Sequence, residues 1–234
     1  MRKDPHVIGS FVHVVKRGAR GLHIVRDETD RWRFLKLIRY LNDANTPRNW
    51  EREISSTHIQ QGFVRPDHWM VATPYVEIVG FCLMDNHFHL LLRPLVAKGI
   101  AKFMQRLCTS MSLYHNTKYR ERGTIFQGPY HARTVENDRH LQYLAAYIQV
   151  KNPLERYPGG LRRAAKNFAH AFRWALEDPF SSLADFMNKR SSPLVTLSAV
   201  REIFMEPSGF EQYAEDVVWG RLERDDALDE ILLD

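Results

Sequence analysis

Apolar and polar residues alternate with two different periods along the chain, and the changes of period sketch its elements. Val7 to Lys16 alternates loosely and is rich in β-branched residues, which predicts a first strand closed by the turn Arg17-Gly18-Ala19-Arg20-Gly21. From Asp30 to Leu41 the apolar residues fall at 34, 35, 37, 38 and 41, the spacing of a helix that buries one face, with Asp27 or Thr29 as its cap. Residues 45–69 lose this order and collect Pro, Asn, Ser and Gln, so they read as an insertion with a short strand or turn near Phe63-Val64. Two strand-like runs, Tyr75 to Phe81 and His87 to Arg93, then lead into and out of a tight Asp85-Asn86 turn, a β-hairpin pattern.

The second half is mainly helical. Phe103, Met104, Leu107, Met111 and Tyr114 recur at three- and four-residue steps, predicting an amphipathic helix over residues 100–116 that packs on the sheet. Residues 136–150 predict another, with acidic residues in its first turn, ending at Asn152-Pro153 because proline disfavours helix in the residue before it. Past Pro158-Gly159-Gly160 shorter helical pieces follow at 162–176, 180–186, 197–205 and 210–222. No internal repeat or low-complexity tract is evident.

Composition narrows the class. A hydrophobic share of 44% and a charged share of 26% over 234 residues are those of a globular protein. No apolar run reaches the roughly 18 residues of a membrane span, and residues 1–6 lack the apolar core of a secretion signal. Cys82 and Cys108 lie in apolar segments and read as reduced core thiols, so a cytoplasmic location is expected. Charge is unevenly placed: residues 1–200 hold 30 basic and 17 acidic side chains, residues 201–234 hold 3 and 11. The body suits a polyanion, while the acidic tail either docks on it as a nucleic-acid mimic or serves as a solubilising helix.

Candidate chemistry concentrates in the hairpin. Along a strand His87 and His89 project to one face and Phe88 and Leu90 to the other, so the histidines are either a two-toothed metal clamp or the polar face of a half-buried sheet. Thr124 to Arg133 interleaves aromatic residues with His and Arg. Aromatic faces stack on unpaired bases while cations take phosphate, a mixture suited to single-stranded nucleic acid. Arg17 and Arg20 among their glycines form either a phosphate-contacting loop or an ordinary basic turn.

Four blocks, in order, resemble the REP-associated tyrosine transposases, a branch of the single-tyrosine HUH transposases. His13-Val14-Val15-Lys16-Arg17-Gly18 resembles the family's opening strand and turn, and Met84-Asp85-Asn86-His87-Phe88-His89-Leu90-Leu91 its Met-Pro-Asn-His-x-His signature. Phe103-Met104-Gln105 followed by Gly123 to Tyr130 resembles the central helix and basic loop, and Tyr147-Ile148 before Asn152-Pro153 the nucleophile helix. The resemblance implies an α+β, ferredoxin-like HUH domain over 1–160, with an antiparallel sheet, packed helices and the insertion at about 45–70, and a helical C-terminal extension with the acidic tail over 161–234. It also implies metal-dependent cleavage and rejoining of single-stranded DNA beside a hairpin through a 5′-phosphotyrosine on Tyr147, with Tyr143 as the reserve nucleophile. The implied metal, Mg²⁺ or Mn²⁺, would be held by His87, His89 and Asn152; zinc is compatible by ligand type. DNA contacts fall on Arg17, Arg20, Arg122, Phe126, Gln127, Tyr130, His131 and Arg133. The partner is single-stranded DNA with a hairpin, and the chain is a monomer or homodimer.

Three departures qualify the pattern. Asp85 stands where the family usually has proline, and Pro129 and His131 where arginine and lysine are frequent. The family's third ligand is an amide four residues after the tyrosine, but here that position is Lys151 and Asn152 is one further. Three readings follow: a distorted helix end such as a π-bulge, an Asn152 that reaches back from a loop, or a metal with two protein ligands besides water. Two other functions stay open, a DNA-hairpin binder without catalysis and a metal-dependent nuclease using water.

Overall fold

Residues 6–54, 63–196 and 207–232 are described by a computed structural model. Four strands, β1 (Val12–Arg17), β2 (Val76–Leu83), β3 (His87–Pro94) and β4 (His131–Thr134), form one sheet in the order β2-β3-β1-β4. Helix α1 (Glu28–Tyr40) and the short α2 (Trp50–Glu53) lie between β1 and β2, and α3 (Gly99–Tyr119) between β3 and β4. A βαββαβ succession with the third strand inserted beside the first is the split βαβ arrangement of ferredoxin-like folds, so the expected α+β class is met.

The chain divides into two compact units. The first comprises Met1–Val79, Asp85–Thr134 and Ser192–Thr196, the second Gly80–Met84, Val135–Ser191 and Leu197–Asp234. In the first unit, β1 pairs antiparallel with β3 and β4, setting Val14 opposite Leu90 and Lys16 opposite Phe88. Val12, Val14, Phe88, Leu90 and Leu92 share a fully buried face. Phe34 of α1 packs on Phe88 there, with ring centroids 5.1 Å apart. Lys16 belongs to the same face. Burial pushes its ammonium pKa down, and the charge is met by the Gly128 carbonyl.

Helix α1 begins where an acidic cap can satisfy it: Asp27 accepts from the Asp30 N–H at 3.0 Å. Lys118 near the end of α3 lies 2.6 Å from carboxylate oxygens of both Asp27 and Asp30, and the Tyr119 hydroxyl donates to Asp30, also at 2.6 Å. These bonds tie the start of one helix to the end of the other. The described part of the expected insertion carries core residues, since Trp50 and Trp69 pack on Tyr40 with centroids 5.3 and 5.9 Å away.

The second unit is helical: α4 (Asp138–Ala146), a π-helical turn (Tyr147–Lys151), α5 (Asn152–Leu154), α6 (Gly160–Lys166), α7 (Phe168–Leu176), α8 (Leu183–Phe186) and α9 (Pro207–Leu232). Asn137 caps α4 by accepting from the His140 N–H. The helix expected to stop before Pro153 runs through it, since Asn152 before the proline keeps helical angles (φ −66°, ψ −48°) at the end of the π turn. The piece expected over 162–176 is two helices, broken at Asn167 (φ −128°, ψ 44°). The one expected over 197–205 falls outside the described residues. Helix α9 packs on α4, the π turn and α6. In this unit the far end of β2 is paired too, with the Leu83 N–H donating to Phe180 O and the Ser182 N–H to Phe81 O. Among the described residues no helix is long and apolar enough to cross a membrane.

Candidate functional site

In the first unit, antiparallel register assembles a chemical face opposite the Phe88 side of the sheet. Arg17 stands across from His87; His131 and His89 both stand across from Val15; Arg133 stands across from His13. Directly opposed residues share a face, so His13, Arg17, His87, His89, His131 and Arg133 are gathered on one surface. Arg17, His131 and Arg133 are exposed, whereas His87 and His89 are 8% and 4% exposed. Arg20 lies on an exposed turn after β1 and Arg122 on one after α3, outside these rows.

The hairpin is held from the turn after β1. Gly18 N–H donates to Asn86 O at 2.7 Å, and a Cβ on Gly18 would stand 2.0 Å from Leu22 O. The Asn86 Nδ2 donates to Gly21 O, which orients the amide so that its oxygen meets His87 Nδ1 at 2.6 Å. A carboxamide oxygen only accepts, so Nδ1 carries the proton and the Nε2 of neutral His87 bears the lone pair a metal needs. His89 Nδ1 is likewise engaged, by His13 Nε2 at 2.9 Å. The His87 and His89 rings lie 4.9 Å apart at 77°. Two imidazoles with engaged Nδ1 atoms fit a divalent cation, and suit Mn²⁺ or Zn²⁺ better than Mg²⁺ by ligand type. Among the described residues no three His, Cys, Asp or Glu side chains converge, so further ligands would be amide, water or phosphate oxygens.

Gln127 is exposed and its N–H donates to Arg17 O, which joins the basic segment to the end of β1. Tyr130 is half-buried. Phe126, expected to offer its ring to a base, is 3% exposed and packs edge-on against Phe88, with Lys16 Nζ 5.0 Å from its centroid. Its ring therefore anchors the loop in the core, because a stacking platform needs an open face.

In the second unit, Tyr147 opens the π turn and is half-buried, with Tyr143 stacked on it at 5.9 Å. The Asn152 N–H donates to Tyr147 O, a bond spanning five residues. A π turn holds more residues than an α-helical one, which brings Asn152 round toward the face of Tyr147. The helix end is distorted as a π turn, and Asn152 belongs to it rather than to a following loop. Lys151 shares the neighbourhood: its Nζ lies 4.8 Å from the Tyr147 ring centroid and pairs with Glu155. Two buried amides stand out here, since Asn152 Nδ2 and both amide atoms of Gln149 lack hydrogen-bond partners. Sequence reasoning missed Gln149 and the use of His13. The signal for His13 was present in strand alternation, but its neighbour depended on register.

The family model described as Transposase IS200 like matches residues 52–151, a segment holding the histidine hairpin, α3, β4 and the helix up to Lys151. No curated protein matches the chain. Among solved structures, the REP-associated tyrosine transposase bound to a REP hairpin is 11% identical, covering 85% of this chain and 95% of its own, with a TM-score of 0.48.

Proposed function

We propose that this chain, whose residues 52–151 match the IS200-like transposases, is a metal-dependent transposase that cleaves and rejoins single-stranded DNA beside a hairpin. The observation that carries the reading is that this one matched segment contains both the His87/His89 hairpin and the Tyr147 helix.

Tyr147 is the nucleophile. Its phenolic oxygen forms a bond to the scissile phosphorus as the bond from phosphorus to the 3′ oxygen breaks; the phenol proton leaves to water and the 3′ oxygen takes one up. The product is a 5′-phosphotyrosine and a free 3′ hydroxyl. A phenolate leaves more readily than an alkoxide, so a DNA hydroxyl can reverse the linkage without an energy source. The Lys151 ammonium stands beside the ring, 4.8 Å from its centroid, and pairs with Glu155. His87 and His89 supply imidazole ligands and Asn152 an amide ligand to Mg²⁺ or Mn²⁺, which would polarise the phosphate and offset its developing charge. Arg17, His131 and Arg133 hold backbone phosphates, with Arg20 and Arg122 extending the basic surface. The exposed Gln127 and half-buried Tyr130 meet bases.

The test uses labelled single-stranded hairpin oligonucleotides with wild type and Tyr147→Phe, with and without Mn²⁺, resolved on a denaturing gel. Wild type is expected to form a metal-dependent, SDS-resistant adduct, and Tyr147→Phe to bind the DNA without forming one. Cleavage that survives Tyr147→Phe with no adduct in either protein would replace this reading with a hydrolytic nuclease.

A further inference from the structure

His13 and His89 meet in an unusual way. Their ring planes are 12° apart and their centroids 5.1 Å apart, which resembles stacking until the 2.9 Å separation of His13 Nε2 and His89 Nδ1 is considered. The centroid separation equals that bond plus about one ring width, so the imidazoles lie end to end in nearly one plane. In that geometry the N–H of one ring runs along the lone pair of the other.

We infer that His13 is a positioning residue for the metal: it accepts a hydrogen bond from His89 Nδ1 and so holds His89 in the tautomer whose Nε2 lone pair can bind a divalent cation. The inference rests on the reading that His87 and His89 are metal ligands. A neutral imidazole has one donor and one acceptor nitrogen, and the bond it makes at one decides which remains at the other. His87 is fixed in the Nδ1–H form by the Asn86 amide oxygen. With His13 as acceptor, His89 takes the same form, and both rings carry a lone pair on Nε2. The opposite polarity would put the proton of His89 on Nε2 and remove it as a ligand.

The support is rigid. His13 lies on β1, which is paired on both sides, by β3 and β4, so its backbone is fixed against the strand that carries His89. His13 is not itself a third ligand, because its Nε2 lone pair is directed along the axis to His89 Nδ1 rather than toward a shared ion. Outer partners of this kind orient metal-binding histidines and raise their basicity.

The experiment measures Mn²⁺ binding to the full chain without DNA, from the electron paramagnetic resonance signal of free Mn²⁺. Wild type, His13→Ala, His13→Gln and His87→Ala are compared, with melting temperatures taken without metal. His13→Ala should bind about 10- to 100-fold more weakly. His13→Gln, whose amide oxygen can accept the same bond, should recover most of the affinity. Nitrogen-15 shifts of the metal-free protein should show His89 protonated on Nδ1. Wild-type affinity in His13→Ala or no recovery in His13→Gln would each overturn the inference while leaving the metal clamp intact; His89 protonated on Nε2 would overturn it as well and would count against His89 as a ligand. Wild-type binding that His87→Ala leaves unchanged would instead remove the clamp, and this inference with it.

Discussion

Gly18→Ala sets two opposed effects against each other. The backbone there (φ −62°, ψ 146°) suits any residue. In open space the substitution would therefore stabilise by about 0.4–1 kcal/mol, by restricting the unfolded chain. The space is not open: the new Cβ would lie 2.0 Å from Leu22 O, 3.1 Å from Ile24 Cγ2 and 3.2 Å from Asn86 O. The nearest obstacle is backbone, so relief requires the turn to move. Overpacking of this kind costs about 1–3 kcal/mol, and a weakened Gly18 N–H bond to Asn86 O costs about 1 kcal/mol more. The clash wins by about 1–3 kcal/mol. At about 2–4 °C per kcal/mol for a chain of this size, the melting temperature should fall by about 2–12 °C. Because Asn86 also orients His87, Mn²⁺ affinity should drop with it, which titration beside the thermal melt would show. An unchanged or raised melting temperature would refute the steric argument.

Three further outcomes follow from described contacts. Burial holds the His115 imidazole below its usual pKa, with Arg26 and Lys118 pushing the same way and Glu121 and Asp30 opposing, and neither ring nitrogen has a hydrogen-bond partner. The unfolded chain therefore takes up protons below about pH 6.5 that the fold refuses, so stability falls from pH 7 to 5, and His115→Leu should flatten that slope in urea titrations. Burial would raise the Asp30 carboxyl, but bonds from Lys118, Tyr119 and the Arg26 N–H outweigh it and lower the pKa. That stability is present above about pH 4 and lost as pH falls through the folded value, and Asp30→Asn should forfeit about 2–3 kcal/mol at pH 7 and weaken the acid dependence. Asn152→Leu removes a buried amide whose Nδ2 is unpaired, so its melting temperature should hold or rise while the DNA adduct disappears; a fall of several degrees would assign Asn152 a structural role.

Local chemistry was legible in the sequence, and long-range register was not. The hairpin and its two histidines could be read because strand alternation is a local rule, and Asp27 as a cap because capping spans only a few residues. That His13 would reach His89 depended on a pairing between residues 76 positions apart, which no local period encodes. Phe126 misled for the same reason, since its neighbours Arg and His suggested a surface while its contact with Phe88 is distant in sequence. The proline rule failed at Pro153, because Asn152 before it keeps helical angles at the end of the π turn. At the tyrosine helix the sequence left open a distorted helix end or an Asn152 in a following loop, and the five-residue bond from Asn152 to Tyr147 shows the distorted helix.

Strand β2 has a consequence for how this protein can be divided. Its Val76–Val79 half belongs to one unit, and Gly80–Leu83 belongs to the other, where Phe81 and Leu83 bond with Phe180 and Ser182, about a hundred residues later in the chain. No single cut in the gene separates the two units. A fragment ending near residue 134 would carry the histidine hairpin but leave Phe81 and Leu83 with open backbone groups, an edge prone to pairing with its own copies. Recombination that shuffled the helical part onto another hairpin would have to exchange those few residues of β2 as well, which favours inheritance of both units as one piece.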